Sequence, residues 1–173
     1  MEKFIPDSYQ KSIYHINYDK LKEDGIKCLL FDLDNTCVPF KDTEPNKKLI
    51  DLFEMLKDMD FKVIIFSNAS KKRILPFKNG LNVDCSASSR KPNTNKLLKI
   101  MKMFGYDLSD VAIIGDQLYT DILCGNRVGI KTILVNPMSK DDLLFTKMFR
   151  LLEKKKFKKF EKMGILKKGK YYE

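Results

Sequence analysis

The chain has 173 residues, of which 43% are hydrophobic and 32% are charged, a balance typical of one globular domain. No apolar run approaches the roughly 20 residues that span a bilayer, and the first residues are too poor in apolar side chains for a signal peptide. We therefore expect a cytoplasmic protein. The only histidine is His15, which excludes Ser–His and Cys–His catalytic pairs and leaves carboxylates as the main candidates for chemistry.

The formal net charge of +10 is concentrated near the end of the chain, where residues 140–173 hold 12 Lys/Arg and 5 Asp/Glu, a net charge of +7. A basic segment of this kind points to an anionic partner, such as membrane lipid or nucleic acid. We divide the chain into a leader packed on the domain (residues 1–26), the domain itself (27–140) and a basic amphipathic segment (141–173).

Five short apolar runs have the character of buried strands, and they cover residues 27–33, 61–66, 83–85, 111–114 and 132–135. Apolar residues at helical spacing, or the length of the intervening segment, predict helices near residues 49–56, 71–78, 95–104 and 120–127. Strands that alternate with helices in this way predict an α/β fold, a doubly wound, Rossmann-like parallel sheet with helices on both faces.

Polar residues follow the ends of four of these predicted strands. In doubly wound folds the working groups lie beyond the carboxyl ends of the strands, so we expect these side chains to converge at one rim of the sheet. In chain order, the residues are Asp32, Asp34, Ser67, Asn68, Lys91, Asp116 and Asp121.

The clustered carboxylates predict a metal-assisted phosphoryl-transfer site. Several carboxylates cannot stay ionised together without a cation, because like charges raise each other's pKa. Mg²⁺ resolves this conflict and is the usual companion of one or two carboxylates and a substrate phosphate. Lys91 and Ser67 then offer a positive charge and a hydrogen-bond donor to the phosphoryl oxygens.

Each segment also has a plainer interpretation. Residues 34–36 are typical of a turn, and residues 67–68 of a capping pair before a helix. Lys91 could be a solvated lysine before a helix-starting proline. Asp116 and Asp121 could be acids favoured by a helix dipole. The placement of all four segments at consecutive strand ends favours the functional interpretation.

These motifs resemble those of the haloacid dehalogenase (HAD) superfamily of aspartyl phosphatases. Phe-Asp-Leu-Asp-Asn-Thr (31–36) is similar to its first motif and Ile-Phe-Ser-Asn (65–68) to its second. Lys91 matches the third motif, and Gly-Asp-Gln-Leu-Tyr-Thr-Asp (115–121) matches the fourth. The first and fourth motifs are highly specific, whereas the second and third are weak alone.

A closer resemblance is to the YqeG-like branch, which includes phosphatidylglycerophosphate phosphatases. It rests on Pro-Asp-Ser-Tyr (6–9), Lys-Ser-Ile-Tyr (11–14), the segment 115–121 and Gly-Asn-Arg (125–127). The resemblance covers roughly residues 4–152, so the lysine-rich tail beyond it is not attributed to the family.

The resemblance implies a role for each residue at the rim. Asp32 would attack phosphorus and form a phospho-aspartate, and Asp34 would act as general acid and then as general base. Mg²⁺ would be held by the Asp32 carboxylate, the Asp34 backbone carbonyl and Asp116. Ser67, the Asn68 backbone and Lys91 would hold the transferring phosphoryl group. Asp121 would support the metal site through water or by orienting it, and Thr36 would support it as well.

The spacing of the motifs predicts a phosphatase without a cap domain. Only 32 residues lie between Asp34 and Ser67, and 23 lie between Ser67 and Lys91, which leaves no room for an inserted domain. HAD relatives with small soluble substrates often carry such a cap. An open site suits a phosphate displayed on something large, such as a lipid surface, a nucleic acid or a protein.

The basic tail allows two interpretations. Roughly one helical face collects the apolar residues Met148, Phe149, Leu152, Phe160 and Met163, and lysines surround that face. Such a helix could lie on anionic lipid, where each basic residue contributes about 1 kcal/mol. It could instead pack on the sheet and leave its lysines in solvent.

The leading hypothesis is a Mg²⁺-dependent phosphatase that converts phosphatidylglycerophosphate to phosphatidylglycerol, peripheral on the inner membrane face and with no obligatory nucleic-acid partner. A second hypothesis is a phosphatase for nucleotides or nucleic-acid ends, whose basic tail binds the phosphates of the nucleic acid. Two others are a phospho-accepting signalling receiver and a catalytically silent membrane adaptor. The oligomeric state stays open.

Overall fold

One six-stranded sheet organises the chain within residues 2–139 and 144–173, which the computed structural model describes apart from the side chains of residues 144–148. Its strands are β1 (Ser8–Gln10), β2 (Cys28–Phe31), β3 (Lys62–Phe66), β4 (Asp84–Ser86), β5 (Val111–Gly115) and β6 (Lys131–Val135). The α-helices are α1 (Tyr18–Glu23), α2 (Lys47–Asp58), α3 (Lys71–Leu81), α4 (Asn95–Phe104), α5 (Leu123–Val128) and α6 (Leu144–Lys162).

The strand order is β1-β6-β5-β2-β3-β4, and every neighbouring pair is parallel. From β2 the chain moves outward through β3 to β4, then returns to β5 on the other side of β2 and continues to β6. The order therefore reverses between β2 and β5, and the prediction of a doubly wound α/β fold is confirmed. In such sheets a crevice opens beyond the carboxyl ends of the two strands at the reversal.

Strand β2 shows why the sheet is covered on both faces. Its four residues are all fully buried, with Leu29 and Phe31 in the cluster beneath α2 and α3 and with Cys28 and Leu30 in the cluster beneath α4 and α5. A strand that is buried on both faces needs an unbroken apolar run rather than alternation. The unbroken apolar run is therefore the sequence pattern that predicts the central strands.

The edge strand β1 lies outside the five predicted strands. It has only three residues, Ser8, Tyr9 and Gln10, and two of them are polar, so no apolar run marks it. It pairs with β6, and its free side is covered by the end of the chain, where the backbones of Tyr9 and Tyr172 exchange two hydrogen bonds of 2.8 and 3.0 Å. The region assigned to a leader thus supplies an edge strand.

The prediction that no cap domain is inserted is confirmed. Between Asp34 and Ser67 the chain forms a loop followed by α2 and β3, and between Ser67 and Lys91 it forms α3 and β4. No inserted domain therefore covers the carboxyl edge of the sheet above β2 and β3 in the described residues.

Helix α6 crosses the carboxyl edge on the β5–β6 side. Phe160 is fully buried with Tyr9, Leu118 and Leu134, whereas Leu152 and Met163 are 39% and 50% exposed. The predicted apolar face of this helix is thus divided: Phe160 packs on the domain, and Leu152 and Met163 are exposed. The predicted boundary between residues 140 and 141, and the side chain of Met148, lie outside the described residues.

None of the helices in the described part of the chain has the length and apolar character that crossing a bilayer requires.

Candidate active site

The candidate site lies at the reversal point between β2 and β5. Asp32 directly follows β2, and its backbone N–H donates to the carbonyl of Ile114 on β5 at 2.9 Å. Asp116 directly follows β5. Parallel pairing in register therefore brings both carboxylates to the same end of the sheet.

The turn after Asp32 supplies a hydroxyl to the site. Asn35 has φ of 65°, a left-handed conformation that asparagine tolerates better than most residues, and its N–H donates to Val38 at 2.7 Å. The turn buries Thr36, whose Oγ1 donates to Asp116 Oδ1 at 3.1 Å. The turn-forming interpretation of this segment is therefore compatible with a place in the site.

Lys91 joins two of the carboxylates. Its Nζ donates to Asp32 Oδ1 at 2.7 Å and to Asp121 Oδ1 at 2.5 Å, and its side chain is only 1% exposed. Burial opposes the charged form, but the negative charges of Asp121 and Asp32 outweigh it and raise the pKa of Lys91. A lysine in this position stays charged and faces the end of β2, so it is not the solvated lysine of the plainer interpretation.

Asn68 holds Lys91 through the backbone. Asn68 Oδ1 accepts the Lys91 N–H at 2.7 Å, and Asn68 Nδ2 donates to the Lys91 carbonyl at 3.0 Å. Ser67 is buried at the end of β3, where its N–H donates to Ser86 at 3.0 Å. The side chain of Asn68 is thus engaged with Lys91, and only its backbone is left for the substrate role that we predicted.

Asp121 reaches the site through a wide helical turn. Residues Leu118–Ile122 form a π-helix before α5, where the sequence predicted an α-helix from about residue 120; such turns are frequent at functional sites. Asp121 Oδ2 accepts from the N–H of Gln117 and from Thr120 Oγ1, both at 3.2 Å. Burial raises the pKa of Asp121, and the charge of Lys91 opposes that rise.

Gly115 makes room for this arrangement. A Cβ at this position would lie 2.1 Å from Asp121 Cγ, a distance that real Cβ contacts do not reach. The glycine before Asp116 is therefore required by the close approach of Asp121 rather than by its backbone conformation.

Asp116 is held from α6 as well as from the turn after β2. Arg150 Nη1 donates to the Asp116 carbonyl at 3.0 Å, and Nη2 forms a short ion pair with Asp116 Oδ2. Burial raises the pKa of Asp116 to about 8, and the positive charge of Arg150 opposes this rise. Arg150 also donates to Glu153 Oε2 at 3.1 Å. Sequence reasoning missed both residues, and their i, i+3 spacing on a helix was the only available signal.

Asp34 faces a different arginine. Arg73 on α3 donates to Asp34 Oδ1 through Nε at 3.0 Å and through Nη2 at 2.7 Å, and it also binds the carbonyls of Phe40 and Asp42. Burial raises the pKa of Asp34, and the hydrogen bond from Arg73 counteracts it. A carboxyl group with a raised pKa at a cleft is suited to carrying a proton. Arg73 carried no signal in the sequence.

The carboxylates of Asp32, Asp116 and Asp121 form a cluster whose ligand oxygens all lie within 4.8 Å of one another. Hard oxygen donors at such distances fit Mg²⁺. The Asp34 side chain bonds to Arg73 instead, and a metal-binding role for its backbone carbonyl stays a prediction. Next to this cluster opens a cleft of about 440 Å³, and its lining includes Asp32, Asp34, Ser67, Lys91, Thr120 and Phe149.

Comparisons with known proteins agree with this geometry. A family model described as HAD-hydrolase-like matches residues 88–142. "Probable phosphatase YqeG" of Bacillus subtilis is 35% identical over 161 residues, which cover 93% of this chain and 94% of the relative. Phosphatidylglycerophosphate phosphatase 1 (chloroplastic/mitochondrial) of Arabidopsis thaliana is 27% identical, and the match covers 93% of this chain but 49% of that protein.

A solved structure supports the fold. The cobalt-bound deoxy-D-mannose-octulosonate 8-phosphate phosphatase of Haemophilus influenzae superposes with a TM-score of 0.52 at 16% identity, covering 77% of this chain and 90% of that one. At this identity the likeness concerns the fold alone. The match to the Bacillus subtilis protein runs along nearly the whole of both chains, and with it we conclude that this chain belongs to the YqeG family of HAD phosphatases.

Proposed function

We propose that this phosphatase removes the terminal phosphate of phosphatidylglycerophosphate in a Mg²⁺-dependent reaction with Asp32 as nucleophile. The observation that carries the mechanism is the contact of Lys91 Nζ with Asp32 and Asp121, which holds a buried carboxylate at the mouth of an open cleft. Membership of a phosphatase family makes a signalling receiver or a silent adaptor a weaker explanation of the same residues.

In the first step an Asp32 oxygen attacks phosphorus, and the bond between phosphorus and the leaving ester oxygen breaks. Asp34 donates its proton to that oxygen, so the alcohol leaves uncharged. In the second step Asp34 takes a proton from water, whose oxygen attacks phosphorus and breaks the bond to Asp32. Inorganic phosphate leaves, and both aspartates return to their starting forms.

The remaining residues orient these two aspartates and the phosphoryl group. Lys91 fixes Asp32 Oδ1, so Oδ2 is the oxygen we expect to attack. The Ser67 hydroxyl and the backbone of Asn68 would donate to the phosphoryl oxygens, and Lys91 would add positive charge nearby.

The carboxylate oxygens of Asp32, Asp116 and Asp121 form a cluster that fits Mg²⁺. Asp32, Asp116 and the Asp34 carbonyl would be its ligands, with Asp121 and Thr36 in support. Bound Mg²⁺ supplies positive charge that offsets the charges of the carboxylates and of the phosphoryl group.

Three observations support a lipid substrate. The sheet edge carries no cap, so a phosphate on a surface could approach. Relatives from Arabidopsis thaliana and Chlamydomonas reinhardtii are named phosphatidylglycerophosphate phosphatases, at 27% and 26% identity. The outward side of α6 also exposes Leu151, Lys155, Lys158 and Lys162 at helical spacing. We propose that this side contacts an anionic bilayer on the cytoplasmic side, since each basic residue near such a surface contributes about 1 kcal/mol.

The test is phosphate release from phosphatidylglycerophosphate in mixed micelles, with Mg²⁺ or with chelator, beside glycerol 3-phosphate and a phosphorylated oligonucleotide. We expect turnover of the lipid to exceed that of both comparators and to require Mg²⁺. Asp32→Asn should lower kcat by about 10⁴-fold or more, because the nucleophile is lost. The matched control is Asp51→Asn, the same change at an exposed carboxylate paired with Lys47.

Two results would overturn these assignments. Retained turnover in Asp32→Asn would remove the proposed nucleophile. Preferential hydrolysis of the oligonucleotide, with binding that weakens steeply as salt rises, would replace the lipid by a nucleic-acid substrate.

A further inference from the structure

Helix α6 presents an ion pair to the loop that carries Asp116. Arg150 and Glu153 lie one helical turn apart and bond to each other at 3.1 Å. Glu153 is 5% exposed, and the Arg150 side chain is 17% exposed. Both side chains therefore face the domain rather than solvent.

The pair holds both ends of the segment from Asp116 to Leu118. Glu153 Oε1 accepts the N–H of Leu118 at 2.6 Å, while Arg150 donates to the carbonyl and to Oδ2 of Asp116. On the opposite side, Thr36 donates to Asp116 Oδ1. Among the described residues, each carboxylate oxygen of Asp116 thus has one partner. Since each oxygen can accept more than one bond, capacity for a metal remains.

The Arg150–Glu153 pair orients Asp116 but adds little net charge next to it. An arginine alone next to a cation site would repel the cation, but the adjacent Glu153 carboxylate offsets the charge of Arg150. Docking of α6 does not depend on the pair alone, because Phe160 on the same helix is fully buried against the domain.

We propose that Arg150, held by Glu153, is a positioning residue for the metal ligand Asp116, so that the carboxy-terminal helix completes the metal site of the domain. The inference rests on the proposed function for the assignment of Asp116 as a Mg²⁺ ligand. It adds that a segment some 30 residues downstream of the fourth motif is required for tight metal binding.

The test is Mg²⁺ affinity of the full chain, measured by isothermal titration calorimetry without substrate. Arg150→Met should weaken Mg²⁺ binding by about 10–100-fold, the usual effect of removing a residue that orients a metal ligand. Lys102→Met is the matched control, since it removes an exposed basic side chain from another helix, α4, to which no role in binding is assigned. Its Mg²⁺ affinity should equal that of the wild type.

Two milder variants separate positioning from folding. Arg150→Lys keeps the charge but lacks the planar fork that reaches both the carbonyl and Oδ2, so we expect a smaller loss of affinity. Glu153→Gln keeps the acceptor for Leu118 and loses the charge that holds Arg150, so it too should weaken binding. In both variants kcat should recover at saturating Mg²⁺, which a merely structural defect would not allow. If Arg150→Met does not fold, the Mg²⁺ affinities of Arg150→Lys and Glu153→Gln test the proposal.

Unchanged or tighter Mg²⁺ binding in the folded Arg150 and Glu153 variants would overturn the proposal; tighter binding would mean that Arg150 competes with the metal. Asp116→Asn is the reference for the site itself. If it binds Mg²⁺ as the wild type does, the proposal falls together with the metal assignment. If the wild type binds Mg²⁺ through Asp116 but releases no phosphate from the lipid, the proposed substrate fails and the role of Arg150 stands.

Discussion

Asp34 and Asp116 are both largely buried carboxylates that pair with an arginine from a helix, yet the two pairs are built differently. Both bonds from Arg73 to the Asp34 carboxylate reach a single oxygen, Oδ1, so Arg73 leaves Oδ2 to exchange a proton. Asp116 is held at Oδ1 by Thr36 and at Oδ2 by Arg150. The same chemical pair thus suits a proton carrier on one side of the cleft and an immobile metal ligand on the other.

The two arginines also depend on different parts of the fold. Arg73 stands on α3, which is anchored in the main core through Ile74 and Phe77. Arg150 stands on α6, which is anchored at the sheet edge through Phe160. Proton transfer and metal binding should therefore respond to damage in different places.

The largest expected effect is the loss of kcat in Asp34→Asn, a variant that distinguishes the role of Asp34 from that of Asp116. Asp34→Asn removes the proton carrier but leaves the backbone carbonyl and Asp116 in place, so kcat should fall by about 10²–10⁴-fold while Mg²⁺ affinity stays close to that of the wild type. Asp116→Asn should instead weaken Mg²⁺ binding. Phosphate-release kinetics and calorimetric titration of both variants check this, and an equal loss of Mg²⁺ affinity in the two would contradict the division of roles.

The buried phenylalanines that attach α3 and α6 to the domain can be compared directly. Phe77 and Phe160 are both fully buried, and truncating either to alanine should lower the free energy of unfolding by about 3–5 kcal/mol. Denaturant unfolding measures that cost. Among the molecules that remain folded, Phe160→Ala should weaken Mg²⁺ binding because Arg150 is displaced, whereas Phe77→Ala should lower kcat with little change in Mg²⁺ affinity. Weaker Mg²⁺ binding in Phe77→Ala together with unchanged Mg²⁺ binding in Phe160→Ala would contradict this division between the two helices.

The smallest expected effect is a shift in pH dependence. Arg73 lowers the pKa of Asp34, so Arg73→Met should raise it. An acid with a higher pKa stays protonated to higher pH, and the alkaline limb of the kcat profile should therefore move upward in pH. The check is a pH–rate profile at saturating Mg²⁺, with Arg73→Lys as the control that keeps a positive charge. An unmoved limb would mean that Asp34 is not the acid.

The central strands and the residues at their ends could be predicted from the sequence because both depend on patterns among neighbouring residues. An apolar run such as residues 27–33 has to be buried on both faces wherever it is placed, and β2 was found within it. Once the strands are parallel, the residues after β2 and β5 must lie at the same edge of the sheet. Asp32 and Asp116 could therefore be assigned to one rim from the sequence alone.

Short-range patterns were insufficient where a contact depends on distant chain segments. Strand β1 is stabilised by β6 and by Tyr172, more than 100 residues away, and its three residues carry no pattern of their own. The π-helical turn at Leu118–Ile122 accompanies the close approach of Asp121 to Gly115, a contact that helical spacing does not predict.

The sequence by itself determined the α/β class, the missing cap and the order in which carboxylates, hydroxyl and lysine reach the rim. Only the tertiary structure decided which arginine serves which carboxylate and that Phe160 packs inward. The physical reason is that periodicity reports the environment of a residue, buried or exposed, but not its partner. Arg73 and Asp34 are 39 positions apart and Arg150 and Asp116 are 34 apart, and only the packing of α3 and α6 on the sheet brings them within hydrogen-bond distance.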